Sequence, residues 1–171
     1  MLVAALSTGC AGWTDVYAGS SYALSGPLSQ NGPSVGAESI FAPRPRSVLN
    51  PGSKPFPVGL HNALQVLLAP DVKSLSWLTG LSYFLQPEPI GAYAIAGTNL
   101  HVDLLEGRFS FGNFQPYGEL GLAARLGARG DGPLATLGLQ TMFLYNYLAT
   151  GDAPRSSEYL TIKFGIGWDV H

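Results

Sequence analysis

Charge is scarce in this sequence. Of 171 residues, 12% are Asp, Glu, Lys or Arg, about half the share of an ordinary soluble domain. A soluble surface carries more Lys and Glu than this supplies. Nine basic residues face eleven acidic ones, for a net charge of −2, so there is no basic stripe for nucleic acid. Cysteine occurs once, which excludes an internal disulfide. Histidine occurs three times, as His61, His101 and His171, without the spacing of a metal-ligand set. No Gly-rich loop follows a strand and opens a helix, so nucleotide binding has no support. The sequence calls for no cofactor and no metal. Hydrophobic residues make up 46%, yet no run approaches the ~20 apolar residues of a membrane helix.

Glycine (22) and proline (13) are abundant, and the hydrophobicity is scattered in alternation. The closing stretch Glu158–His171 is the clearest case. Leu160, Ile162, Phe164, Ile166, Trp168 and Val170 alternate with Thr161, Lys163, Gly165, Gly167 and Asp169. Successive strand side chains point to opposite faces, so one face is apolar throughout. The run has the length that a tilted strand needs to cross a bilayer.

The same pattern recurs along the chain. Gly12–Leu24 and Ser34–Ala42 read as the first two strands. Residues 43–57 hold five prolines and three basic residues and cannot be a central strand; they read as an extended connection. Val58–Leu68 and Leu75–Leu85 alternate again, and Pro87 and Pro89 stop the second of these. Ile90–Leu104 sets Leu100, Val102 and Leu104 against Asn99, His101 and Asp103. After a loop at 105–113 come strands at Phe114–Gly127 and Leu134–Ala149. With the closing strand, the total is about eight.

In the segment Gln115-Pro116-Tyr117-Gly118-Glu119-Leu120-Gly121 and the alternating, aromatic-rich end Leu160–Val170, the chain resembles the small bacterial outer-membrane barrels of the OmpA/OmpX/OmpW type. The resemblance implies an all-β fold, a transmembrane antiparallel β-barrel of about eight strands over residues 12–171. It also implies a place in the bacterial outer membrane, in contact with its lipid. The barrel-assembly machinery would read the C-terminal strand, and other envelope proteins are further candidate partners.

Residues 1–11 read as a leader. Within MLVAALSTGC, the Ser7-Thr8-Gly9-Cys10 end resembles a lipoprotein signal, which implies lipidation at Cys10; an ordinary export leader, or a mature N-terminus with a chance Gly-Cys, remains open.

An eight-stranded barrel is filled by side chains, and inward charges must pair. His101, Asp103, Glu119, Arg125, Lys163 and Asp169 are expected to form a polar network in the lumen. Trp13, Trp77, Tyr145, Tyr147 and Trp168 are expected at the membrane interfaces. The functional expectation is a structural or interaction role, not an enzymatic one. Alternatives are a lipid-modifying barrel enzyme, with His101, Asp103 and Glu119 as its best cluster, a narrow pore, or a soluble lipocalin-like barrel with apolar residues inside. The His-x-Ser-Asn pattern of the barrel deacylases is absent.

Overall fold

A computed structural model of the chain describes residues 10–25, 31–43, 57–70, 72–85, 90–105, 108–112, 114–126, 132–146 and 155–170. Among them, the regular elements are all strands: β1 (Cys10–Ser25), β2 (Gly32–Pro43), β3 (Val58–Leu68), β4 (Val72–Phe84), β5 (Ile90–Leu105), β6 (Arg108–Phe111), β7 (Gln115–Arg125), β8 (Leu134–Asn146) and β9 (Arg155–Val170). Residues 1–9 of the expected leader at 1–11, most of the proline-rich connection and Tyr147 lie outside the described residues; residues 10 and 11 belong to β1.

Every pairing is antiparallel. The order is β4-β3-β2-β1-β9-β8-β7-β5-β6, and β4 also pairs with β5. That pairing closes an eight-stranded barrel; the short β6 lies on the same edge of β5 as β7 and just before it in the chain, because β4 holds the other edge along Val102–Leu105. Among the described residues, closure gives every stave a partner on both sides. The closing strand β9 is the seam: it pairs with β1 from Gly12↔Val170 to Ser25↔Glu158. Neighbouring strands in sequence are neighbours in space, so the chain runs up and down around the wall.

The period-two pattern forms these strands and sets their register, because a one-residue slip would turn every apolar side chain inward. The apolar set faces out: Phe164 is 66% exposed, Leu120 64%, Leu81 61%, Leu60 60% and Trp168 58%. The inner set is mixed. Asp15, Glu38, His61, Gln65, Asn99, His101, Asp103, Glu119, Gln140 and Lys163 are all buried. Inward-facing Trp13, Ile40, Phe84 and Tyr93 fill the end where β1 begins, and Leu67, Met142, Leu144 and Tyr159 lie toward the other end.

One expectation about the wall is corrected. The loop expected at 105–113 contains β6, whose residues Arg108–Phe111 pair with Leu105–Val102. β2 and β3, on either side of the proline-rich connection, pair directly from Phe41↔Leu60 to Ser34↔Leu67.

Candidate functional site

The centre of the lumen is organised by Lys163, carried inward by β9 between the outward Ile162 and Phe164. Its Nζ donates to Glu38 Oε2 on β2 at 2.5 Å and to Glu119 Oε1 on β7 at 2.8 Å. The ammonium also lies 4.4 Å from the centroid of the Tyr17 ring, a cation–π contact. One side chain thus ties β9 to β2 and β7, each two strands away on either side of it.

His61 on β3 makes the second cross-lumen tie. Its Nε2 is 3.0 Å from Glu38 Oε2 and its Nδ1 is 2.6 Å from the Tyr117 hydroxyl. A neutral imidazole protonated on Nε2 satisfies both: Nε2–H donates to Glu38, and the Tyr117 O–H donates to Nδ1. Tyr93 O–H donates to Glu119 Oε1 at 2.8 Å, and Gln140 Nε2 donates to Glu119 Oε2 at 3.4 Å. Asp15 Oδ2 accepts from Thr136 Oγ1 at 2.6 Å. In this low-dielectric setting each carboxylate needs such donors, since an uncompensated buried charge is expensive.

Glycines on the inner face make room for these side chains. Tyr17 stands directly across from Gly36, Tyr93 from Gly121, and Tyr117 from Gly97. A Cβ at Gly36 or Gly121 would approach the facing ring to 2.5 and 2.2 Å, and one at Gly97 would approach Tyr117 to 2.8 Å. Each tyrosine lies over a glycine on the next strand and reaches the central polar layer, an arrangement that covers the exposed glycine backbone.

Toward the β5–β6 end, His101 Nε2 is 3.4 Å from Asp103 Oδ2 and its Nδ1 is 3.3 Å from Asn99 Oδ1. Both His101 and Asp103 are fully buried. The Gly112 N–H donates to the His101 carbonyl at 2.8 Å, and a Cβ at Gly112 would come within 2.0 Å of the imidazole. The segment after β6 therefore lies directly against this histidine.

The expected lumen residues separate into three groups. Lys163 and Glu119 meet at the centre, joined by Glu38, which the sequence reading did not single out. His101 and Asp103 form their own pair. Glu119 is level with Ile95 on β5, six residues before His101, or about 20 Å along a strand. The cluster of His101, Asp103 and Glu119 is therefore not assembled. Arg125 and Asp169 pair with each other near the opposite end, where Arg125 Nη2 donates to Asp169 Oδ1 at 2.9 Å and Nη1 to Oδ2. That bidentate pair is only part-buried. Asp15 and His61 also belong to the interior and were missed; each shares a strand face with another inward polar or aromatic residue, Tyr17 for Asp15 and Gln65 for His61.

The aromatic expectations divide as well. Trp77 and Trp168 face out, but Trp13 is 2% exposed and points into the barrel. It meets Phe84 and Tyr93 edge-on, with centroids 5.3 and 5.7 Å away. Trp13 is therefore an interior residue, not a membrane-interface one, because it shares the inward parity of Asp15 and Tyr17. The side chain of Tyr145 and the whole of Tyr147 lie outside the described residues. So does the Cys10 side chain, although Cys10 is the first residue of β1. Among the described residues, no group of three or more His, Cys, Asp or Glu side chains could hold a metal ion.

A closed eight-stranded antiparallel barrel, charged within and apolar without, is the architecture of small outer-membrane barrels. The fold agrees with a solved structure. The crystal structure of neisserial surface protein A is similar with a TM-score of 0.56 at 14% identity, covering 94% of this chain and 96% of that one. The Yersinia pestis attachment invasion locus protein Ail, in complex with the heparin analogue sucrose octasulfate, gives a TM-score of 0.49 at 11% identity, with 94% and 99% covered. At 14% identity the likeness to neisserial surface protein A concerns the fold alone. No protein-family model matches the sequence, and no curated protein matches it.

Proposed function

We propose that this protein is an integral outer-membrane β-barrel of the bacterial envelope with a structural or partner-binding role. The observation that carries this reading is the inverted polarity of the barrel. Lys163, Glu38 and Glu119 are buried inside, while leucine, phenylalanine and tryptophan side chains cover the outside. Water solvates such an exterior poorly, and lipid solvates it well. The lipocalin-like alternative requires the opposite arrangement. A pore requires an open lumen, and here side chains from β2, β3, β7 and β9 meet across it. A lipid-modifying enzyme needs a reactive group within reach of the lipid face, whereas His101 and Asp103 are buried inside.

The implied partners are outer-membrane lipid and the barrel-assembly machinery, which would read β9. Lipid attachment at Cys10 belongs to the same proposal, and the intact mass of the membrane-extracted chain tests it: the mature chain should begin at Cys10 and carry acyl additions. The barrel itself is tested on SDS gels. The folded form should migrate differently before and after boiling, and the protein should stay in membranes washed with carbonate. A single mobility together with release by carbonate would refute the reading.

A further inference from the structure

One row of the outer wall breaks the apolar pattern. Thr14 lies across from Ser39, Ser39 from Asn62, Asn62 from Thr79, and Thr79 from Thr98. These five residues share the outward parity of the apolar side chains beside them and run around the wall through β1, β2, β3, β4 and β5. They do not mark the edge of the apolar belt. Asn62 has the exposed Leu60 and Leu64 on either side along its strand, and Thr79 has Trp77 and Leu81. On β9, which pairs with β1 on its other edge, the outward residues Ile162, Phe164, Ile166 and Trp168 are apolar without interruption.

Hydrocarbon offers nothing to a hydroxyl or an amide, so each such group must find a partner in protein. Thr14 Oγ1 and Ser39 Oγ satisfy each other at 2.9 Å. Asn62 is exposed and makes no side-chain hydrogen bond among the described residues. Its carboxamide has two donor hydrogens and an acceptor oxygen. A lipid tail supplies neither kind of partner at that depth.

We propose that the outer face of β3, centred on Asn62 and flanked by Ser39 and Thr79, is the contact through which two copies of this chain associate in the membrane. The inference rests on the membrane reading above. The amide itself selects a second copy. A two-fold axis through this face sets Asn62 against Asn62, so that each amide donates to and accepts from its twin. The hydroxyl of Thr79 is likewise both donor and acceptor, so the face complements itself. A convex wall touches another over few strands, which leaves β2, β3 and β4 to form the contact. Interhelical Asn and Ser/Thr bonds join membrane helices on the same physical grounds.

The test uses the full chain with Cys10→Ser as background, refolded into phosphatidylcholine vesicles. Asn62→Cys places a thiol at the proposed axis. Leu139→Cys places one on β8, half-way round the ring, on an exposed apolar position. Mild oxidation should link Asn62→Cys into a species of twice the chain mass and leave Leu139→Cys monomeric. Asn62→Leu should raise the dimer dissociation constant about tenfold, read by energy transfer between labelled copies. Equal linking of the two variants would overturn the proposal, as would none at Asn62→Cys. A water-soluble maleimide separates that failure from failure of the membrane reading. If Leu139→Cys is labelled in intact vesicles, the barrel does not bury that face in lipid and both readings fall. If it is protected and Asn62→Cys does not link, only the dimer falls. In outer membranes, an adduct of Asn62→Cys at another mass would assign the face to a different protein and overturn the second copy.

Discussion

Replacing Lys163 by methionine removes the one cation that both Glu38 and Glu119 contact, at 2.5 and 2.8 Å. Methionine fills a similar volume, so the change is electrostatic in the main. Breaking a buried pair by removing one partner costs about 3–5 kcal/mol, because the other charge stays buried without compensation. Here two carboxylates lose the same partner, which places Lys163→Met at the upper part of that range. Glu38 keeps the Nε2–H of His61, and Glu119 keeps the Tyr93 hydroxyl and the Gln140 amide, so the barrel should be weakened and still form. The assay is urea unfolding in lipid vesicles, followed by loss of the folded band on unboiled gels. Converting Glu38 and Glu119 to glutamine in the same chain removes the stranded charges. The triple variant should recover to within about 1–2 kcal/mol of the parent, since a neutral replacement of a whole buried ionic group is often nearly cost-free. A loss under about 1 kcal/mol for Lys163→Met, or a triple variant no more stable than the single, would refute the account of the lumen.

Other substitutions probe separate parts of the structure. Arg125→Ala removes a part-exposed pair and should cost under about 1 kcal/mol in the same unfolding assay. Gly121→Ala sets a methyl group 2.2 Å from the Tyr93 ring, and displacing that ring from Glu119 should cost about 1–3 kcal/mol; an unchanged midpoint would mean the tyrosine is not held there. Leu120→Arg puts a charge on the outer face of β7 and should cost about 2–4 kcal/mol in vesicles if that position lies near the bilayer midplane. The same change in a water-exposed wall would cost little.

Much of the wall was legible from the sequence, since the alternation that builds a strand also tells its faces apart. Val58–Leu68 was read with the boundaries that β3 has. β1, β2, β5 and β9 run beyond the expected ends because pairing continues past the apolar residues, as at Arg155–Glu158 in β9, whereas β7 (Gln115–Arg125) falls within the expected Phe114–Gly127. β6 was overlooked because it has only four residues and follows β5 almost at once. The lumen was less legible, because parity assigns a residue to the inside without saying which inward residues meet. Lys163 and Glu119 were expected inside and do meet. Glu38, the carboxylate that joins Lys163 to His61, sits in a strand whose other residues are small or apolar, and its partners come from β3 and β9. His101 and Glu119 share a neighbourhood in sequence, yet their positions along paired strands hold them apart. The place of Trp13 near a strand end suggests the interface, but it shares a face with the inward Asp15 and Tyr17, and that parity decides its position.

The central claim is that the wall of this barrel faces lipid, and the strand that closes it offers the most direct measurement. Phe164 is outward, next to the buried Lys163, and is 66% exposed. A nitroxide at Phe164→Cys, in the Cys10→Ser chain refolded in vesicles, reports whether oxygen from the bilayer or a water-soluble nickel complex reaches it. The structure predicts that oxygen collisions dominate strongly. Dominant nickel collisions would place this face in water and contradict the account.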